Sequence, residues 1–146
     1  RGLFRDHDTF GTRGHSDILA AFATPGHLLM HRQDSESHPD HQIARTNREV
    51  AERYLDDTSA GFEIIDMPAP SVLRDDEGFV DYSYINHVVL NGAVLACAFE
   101  DPADDQALAT LREVYPGRTV IGIDARPLFA RGGGIHCITQ QQPKVA

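Results

Sequence analysis

The chain has 146 residues, of which 41% are apolar and 24% are charged, and its formal net charge is −9. This length fits one globular domain, and no apolar run approaches the ~18 residues of a membrane span. The negative charge argues against nucleic acid or an anionic membrane surface as the main partner, because phosphate binding requires clustered Lys and Arg.

The first predicted unit opens with two short apolar runs. Ile18 to Ala23 and Leu28 to His31 are separated by Thr24-Pro25-Gly26, which predicts a hairpin. Apolar residues then recur at helical spacing from Pro39 to about Leu55, which predicts an amphipathic helix. Its apolar residues are Ile43, Val50, Ala51, Tyr54 and Leu55. A strand from Phe62 to Met67 is predicted to close the unit.

The second predicted unit repeats this order. Tyr84 to Leu90 and Ala93 to Phe99 flank Asn91-Gly92, which predicts a second hairpin. Asp101 is predicted to cap the helix that follows. The apolar stripe of this helix consists of Leu108, Leu111, Val114 and Tyr115. Arg118 to Ile123 is predicted to be the closing strand.

The predicted architecture is therefore α/β, with one ββαβ unit following another. We assign residues 1–68 to the first unit, 69–81 to a polar loop, and 82–146 to the second unit with the segment after it. Repeat architectures bury their faces against neighbouring units, and roughly three or more units are usually needed for stability. The chain also begins at Arg1 without a methionine or a leader. We therefore expect further units upstream of Arg1 or in another chain.

The segment from Gly132 to Pro143 is the most informative part of the chain. Three consecutive glycines allow a sharp turn or a close approach to a ligand. Cys137 follows them and is a candidate nucleophile, although a small buried residue after a flexible turn explains it equally well. Cys97 stands in an apolar stretch and is expected to pack in the core. Two cysteines in unlike settings argue against disulfides and favour the reducing cytoplasm.

His15 and Asp17, within Gly14-His15-Ser16-Asp17, form a second candidate cluster. On an extended segment residues i and i+2 point to the same side, so both side chains could face one ligand. The imidazole can carry protons near neutral pH, and the carboxylate can accept hydrogen bonds from a cation. The pair alone is weak evidence, because it also occurs in metal sites and in ordinary turns.

A metal site is the rival interpretation of the acidic and histidine residues. Their spacing is irregular, with no His-Glu-x-x-His helix and no paired Cys-x-x-Cys motifs. The residues concerned are Asp6, His7, Asp8, His15, Asp17, His38, His41 and His136. By default, we interpret His7, His27, His31, His38, His41 and His87 as surface or strand residues.

The sequence from Gly132 to Pro143, Gly-Gly-Gly-Ile-His-Cys-Ile-Thr-Gln-Gln-Gln-Pro, closely resembles the cysteine motif of agmatine deiminases and bacterial peptidylarginine deiminases. Gly14-His15-Ser16-Asp17 is similar to the second motif of that family. Ser83-Tyr84-Ile85-Asn86 resembles its Ser-Tyr-hydrophobic-Asn stretch, and Phe99 to Asp104 resembles its Phe-x-Asp-Pro segment. The resemblance therefore extends over essentially the whole chain.

The resemblance implies a pentein-like α/β propeller of five ββαβ units, of which this chain would carry about two. It also implies hydrolysis of agmatine to N-carbamoylputrescine and ammonia, a step of putrescine biosynthesis. Cys137 would form a covalent thiouronium, His15 would carry protons, and Asp17 would clamp the guanidinium with an upstream carboxylate that no residue here matches. Gly133 and Gly134 would let the backbone approach the substrate. Neither a metal nor an organic cofactor is required.

Arg13 departs from the pattern of agmatine deiminases, which often have Asp before the Gly-His pair. If that Asp reads the distal amine of agmatine, a cation at the same substrate-binding position favours arginine-like or other guanidino substrates, as for an arginine or peptidylarginine deiminase. An amidinotransferase of the same fold and a catalytically incomplete module also stay open, and a zinc hydrolase is the last alternative. The oligomeric state, including a homodimer, stays open as well.

Overall fold

A computed structural model describes residues 15–58, 61–72, 74–76 and 78–142. Two three-stranded sheets are formed over these residues. The first unit consists of α1 (Ser16–Leu19), β1 (Ala20–Thr24), β2 (His27–Arg32), α2 (His41–Thr58) and β3 (Glu63–Pro68). The second consists of β4 (Val88–Val89), β5 (Ala93–Ala98), α3 (Asp104–Val114) and β6 (Thr119–Asp124), followed by α4 (Arg126–Phe129) and a 3₁₀ turn (His136–Ile138).

Both sheets have the same topology. The central strand, β2 or β5, pairs antiparallel with the strand before it and parallel with the strand after it. The helix α2 or α3 connects the two parallel strands, as parallel pairing requires a crossover. The predicted order, ββαβ followed by ββαβ, is confirmed. The division into residues 1–68, 69–81 and 82–146 stays a prediction.

The two helices differ in how well their apolar faces are covered. In α3, Ala107, Leu111 and Val114 lie on one face and are buried against the core. In α2 the predicted apolar face is only partly covered, since Val50 and Tyr54 are 52% and 56% exposed. Within the described residues, no helix combines the length and the apolar character needed to cross a bilayer.

One hydrophobic core is shared by the two units. Leu29 and Met67 of the first sheet and Val94 of the second are fully buried in it. The ring of Phe99 is buried in it, with centroid distances of 5.1 Å to Tyr84 and 5.4 Å to Phe129. This packing holds the chain around Tyr84 and the end of α4 against the same aromatic cluster.

The strand predicted from Tyr84 to Leu90 is wrong in its first half, because β4 contains only Val88–Val89. The preceding residues form a tight turn, in which the Asn86 N–H donates to the Ser83 carbonyl at 3.4 Å. The Ser83 hydroxyl in turn donates to the carbonyl of Ile18 at 2.7 Å. These bonds satisfy the buried polar groups locally and replace a strand ladder.

The strand predicted from Ile18 is also wrong at its start, because Ile18 lies in α1 and β1 begins at Ala20. The Ile18 N–H donates to the His15 carbonyl at 3.2 Å, which closes this helical turn. Asp17 therefore lies on a helix, and the extended-segment argument that placed it beside His15 was wrong.

Two of the histidines interpreted as surface or strand residues are buried and lie outside strands, so that interpretation was wrong for His38 and His87. The Nε2 atom of His87 lies 2.9 Å from the Tyr115 hydroxyl, and its burial lowers the pKa of the ring below the ordinary value. Of the others, His27 and His31 lie on β2, His41 begins α2, and His7 lies outside the described residues.

Asp101 does not cap α3, whose N-cap is Ala103, so the predicted cap was wrong. Its carboxylate instead accepts the Ser71 hydroxyl at 2.7 Å, the Val72 N–H at 2.8 Å and the Ala103 N–H at 2.9 Å. Burial alone would raise the pKa of Asp101, but these hydrogen bonds outweigh it and leave the pKa below its ordinary value. Asp101 thus ties the loop after β3 to the start of α3.

We expect Asp101→Ala to lower the free energy of unfolding by about 2–4 kcal/mol at pH 7, because several hydrogen bonds to a buried carboxylate are lost. Urea unfolding followed by circular dichroism measures this change. The contribution of the carboxylate to the free energy of unfolding is fully present above its pKa in the unfolded chain, about 3.9. It is lost as the pH falls through the lower pKa of the folded protein. The destabilisation should therefore shrink at acidic pH.

The matched control is Asp76→Ala, which removes an exposed carboxylate from the same loop. Its effect should stay within about 0.5 kcal/mol at either pH. Equal losses in the two variants would contradict the structural role of Asp101.

Candidate functional site

Three segments meet at the candidate active site: the helical turn α1, the turn that contains Asn86, and the 3₁₀ turn that begins at His136. The Cys137 Sγ lies 3.5 Å from the Asp17 Oδ2 and 3.2 Å from the Asn86 Nδ2. The Asn86 Nδ2 also donates to the Asp17 Oδ2 at 3.0 Å. The fold thus brings a thiol and a carboxylate together across 120 residues of sequence.

The Asp17 carboxylate is the electrostatic centre of this cluster. Besides Asn86 and Cys137, its Oδ2 contacts the His136 Nδ1 at 2.6 Å, and its Oδ1 lies 4.0 Å from the His15 Nδ1. The Asp17 side chain is only 20% exposed, whereas that of His15 is 62% exposed. The site therefore opens to solvent on the His15 side, where a cationic ligand could reach the carboxylate.

The Cys137 thiol is held mainly in its neutral form in the unliganded site. Partial burial of the sulfur raises its pKa, and the nearby Asp17 charge raises it further. Hydrogen bonds from Asn86 and from the Gly134 backbone lower the pKa, but they do not offset the other effects, and it stays above the ordinary value. A positive charge placed at the site would favour the thiolate.

Gly133 and Gly134 are buried and pack directly against site residues. A Cβ at Gly133 would lie 2.7 Å from the Cys137 Sγ, and one at Gly134 would lie 2.5 Å from the Asn86 Oδ1 and 2.8 Å from the Phe129 Cε2. These contacts explain why both positions lack a side chain. Their predicted approach to a substrate stays a prediction.

The structure places the three predicted catalytic residues but does not describe the predicted substrate-binding residue Arg13. Cys137, Asp17 and His15 are brought together, and their catalytic roles stay predictions. Arg13 lies outside the described residues, so its contact with a substrate stays a prediction too.

Two residues of the site were missed by reasoning from the sequence, Asn86 and His136. Asn86 was part of the resembling motif but received no role, although an asparagine within an apolar stretch is a recognisable signal, because a buried amide needs partners. His136 was considered only as a metal ligand, and its contact with Asp17 spans 119 residues.

A metal ion could use the donor atoms of His15, Asp17 and Cys137, which lie within 4.8 Å of one another. However, Asn86 directs its amide hydrogens at the Asp17 Oδ2 and the Cys137 Sγ, and so engages donor atoms that a metal ion would use. The site therefore suits hydrogen bonding better than ligation. Of the other residues in the metal interpretation, Asp6, His7 and Asp8 lie outside the described residues.

Comparison with known proteins gives consistent matches. Residues 1–143 match the family model of the Porphyromonas-type peptidyl-arginine deiminases. A protein of Streptomyces coelicolor named "Putative agmatine deiminase" is 50% identical over 144 residues, which are 98% of this chain and 42% of that protein. The agmatine deiminase of Stutzerimonas stutzeri is 33% identical over 160 residues, covering 97% of this chain and 42% of its own length.

A solved structure supports the same relationship. The "Putative Arginine Deiminase" of Porphyromonas gingivalis superposes with a TM-score of 0.79 and 28% identity, over 94% of this chain and 42% of that one. The predicted fold class, ββαβ repeats of a pentein-like α/β propeller, is confirmed. The chain spans 42% of the length of these relatives, close to the predicted share of two units in five.

We expect Gly134→Ala to lower the free energy of unfolding by about 1–3 kcal/mol, because the new methyl group overpacks against Asn86 and Phe129. Thermal and urea unfolding measure this loss. Gly92→Ala is the control, since a Cβ at Gly92 meets nothing within 4 Å. Comparable stability of the two variants would show that the Gly134 contact relaxes without cost.

Proposed function

This chain belongs to the Porphyromonas-type peptidyl-arginine deiminase family, and from that premise we propose that its site hydrolyses a carbon–nitrogen bond of a guanidinium group. The observation that carries the proposal is the thiol of Cys137, held 3.5 Å from the carboxylate of Asp17. A carboxylate can hold a guanidinium ion by charge-assisted hydrogen bonds, and a thiol beside it can attack the guanidinium carbon.

Agmatine is the substrate we propose, with N-carbamoylputrescine and ammonia as products. The names of the relatives from Streptomyces and Stutzerimonas support it, and the net charge of −9 suits a cationic substrate. Arginine or peptidylarginine is the alternative, motivated by Arg13. Two cysteines in unlike settings favour a reducing compartment, so we propose a cytoplasmic location.

Binding must first overcome the low reactivity of the guanidinium ion, which is planar and delocalised, so its carbon is a poor electrophile. Asp17 pairs with its N–H groups together with the upstream carboxylate expected of this family, and this pairing places the carbon over the Cys137 sulfur. The bound cation also supplies a positive charge that favours the thiolate.

The reaction then proceeds through a covalent intermediate. The Cys137 thiolate forms an S–C bond, and the C–N bond breaks as ammonia leaves with a proton donated by His15. Water next attacks the thiouronium carbon and gives a proton to His15, and the S–C bond breaks to release the ureido product and the thiolate. The exposure of His15 lets water reach this step.

An amidinotransferase of the same fold would instead expel the alkylamine, keep the unsubstituted amidino group on Cys137 and pass it to a second amine. It would therefore release no ammonia, whereas the deiminase releases ammonia and transfers the carbon to water. A ureido product formed from agmatine alone therefore identifies the hydrolase.

We expect Cys137→Ser to reduce ureido product formation by about 10³-fold or more, because the hydroxyl is a far weaker nucleophile than the thiolate. The assay measures the ureido product and the ammonia formed from agmatine, from arginine and from a peptidylarginine. It uses the whole protein as it occurs in its host. Calorimetry should show that the preferred substrate still binds. Turnover at the unmodified rate would remove Cys137 from the nucleophile role.

We expect Asp17→Asn, made in the Cys137→Ser protein, to weaken substrate binding by roughly 10- to 100-fold, since a charge-assisted hydrogen bond to the guanidinium is lost. Calorimetric titration without turnover measures the dissociation constant directly. Asp76→Asn makes the same chemical change at an exposed loop position and should leave the constant unchanged. An unaltered constant in Asp17→Asn would rule out the clamp.

A further inference from the structure

The two oxygens of the Asp17 carboxylate have different surroundings. Its Oδ2 is contacted by the His136 Nδ1 at 2.6 Å, the Asn86 Nδ2 at 3.0 Å and the Cys137 Sγ at 3.5 Å. The His15 Nδ1 lies 4.0 Å from Oδ1, and among the described residues no donor lies within hydrogen-bonding distance of that oxygen. The protein therefore saturates one oxygen and leaves the other for a ligand.

The imidazole of His136 makes the shortest of these contacts. An ionised carboxylate only accepts hydrogen bonds, so the His136 Nδ1 carries a proton, and its partner assigns the tautomer of the neutral ring. The ring is 40% exposed and the Asp17 side chain is 20% exposed, so the contact lies where the core meets the opening of the site. A hydrogen bond to an ionised group is stronger than one between neutral groups.

The main chain of His136 is fixed independently of its ring. Its N–H donates to the Asn86 Oδ1 at 2.9 Å, and its carbonyl accepts the N–H and the hydroxyl of Thr139, both at 3.0 Å. The 3₁₀ turn is thus held from both sides. Replacing the ring leaves these backbone bonds in place, so it removes the contact with Asp17 without removing the turn.

We propose that His136 is a positioning residue: its Nδ1–H holds the Asp17 Oδ2 within the site and thereby turns Oδ1 towards the opening, where a guanidinium N–H binds it. This role rests on the proposed function of Asp17 as the clamp for the substrate. His136 acts only through the carboxylate and contacts neither the substrate nor the reacting atoms.

A fixed carboxylate binds a cation more tightly than one that rotates freely. Asp17 lies on α1, which has only four residues and gives the side chain little support of its own. Rotation that is lost on binding costs free energy, and hydrogen bonds made before the substrate arrives avoid this cost. The imidazole and the Asn86 amide both donate to Oδ2, so together they prevent the two oxygens from exchanging places.

Binding by the Cys137→Ser form of the whole protein tests the proposal, with agmatine, arginine and a peptidylarginine titrated and the tightest of them kept as the probe. His136→Leu removes the donor, and the dissociation constant should rise roughly 10-fold, the size expected for one hydrogen bond to a charged group. His136→Asn should restore most of this loss, because its Nδ2 and the Nδ1 of histidine are both attached to Cγ. A merely structural role would not separate the two variants in this way.

His27→Leu is the matched control, because His27 lies at the start of β2, where its Nδ1 is 2.8 Å from the Thr24 hydroxyl. Its dissociation constant should equal that of the Cys137→Ser protein. An unchanged constant in folded His136→Leu would overturn the proposal. Tighter binding would overturn it as well, since His136 would then compete with the substrate for Asp17.

A second measurement needs no substrate and covers the case in which His136→Leu does not fold. The nitrogen-15 resonances of the His136 ring, recorded at alkaline pH where the ring is neutral, should place the proton on Nδ1. In Asp17→Ala the proton should no longer be confined to that atom. A proton on Nε2 in the unsubstituted protein would refute the contact.

Failure of the proposed function gives a different result. If the unsubstituted protein bound none of the three compounds and formed no ureido product, the proposed function would be rejected, and this role with it. The tautomer of His136 would still decide whether the contact with Asp17 exists.

Discussion

The site depends on a polar turn buried inside an apolar core. Ser83 and Asn86 are both completely shielded from solvent, and their side chains find partners in residues of α1 and of the segment after α4. A buried polar group that lost its partner would cost several times what an ordinary hydrogen bond contributes to stability. The bonds that make burial of this turn tolerable are therefore the same ones that set Asp17 beside Cys137.

The electrostatics of the cluster explain how a thiol can stay protected and still become reactive. Partial burial of the sulfur, together with the nearby charge of Asp17, holds the pKa of the Cys137 thiol above its ordinary value, and the same charge would attract a cation. A bound guanidinium would neutralise that charge and favour the thiolate, so the nucleophile would form mainly where it is needed. Such coupling would limit alkylation and oxidation of the exposed sulfur while no cation is bound.

Local signals predicted the long elements and failed at the short ones. The helices α2 and α3 and the hairpins around Pro25 and Gly92 follow from periodicity and turn residues, and they agree with the structure within a few residues. The short helix α4 was not predicted, and α1 was taken for a strand, because four residues carry too little periodicity to decide. The composition of Tyr84 to Leu90 predicts a strand. Hydrogen bonds around Ser83, including one from the Ile85 N–H to the Ser83 hydroxyl, instead form a turn in its first half.

The sequence by itself determined the order of the two ββαβ units and the identity of the reactive groups, since hydrophobic period and residue chemistry are local properties. The motif that contains Cys137 also indicated the family. Only the tertiary structure decided which groups meet. Asp17 reaches Cys137 across 120 residues, and Asn86 joins both through a turn that no local pattern predicted, because contacts between distant segments are set by how the shared core packs.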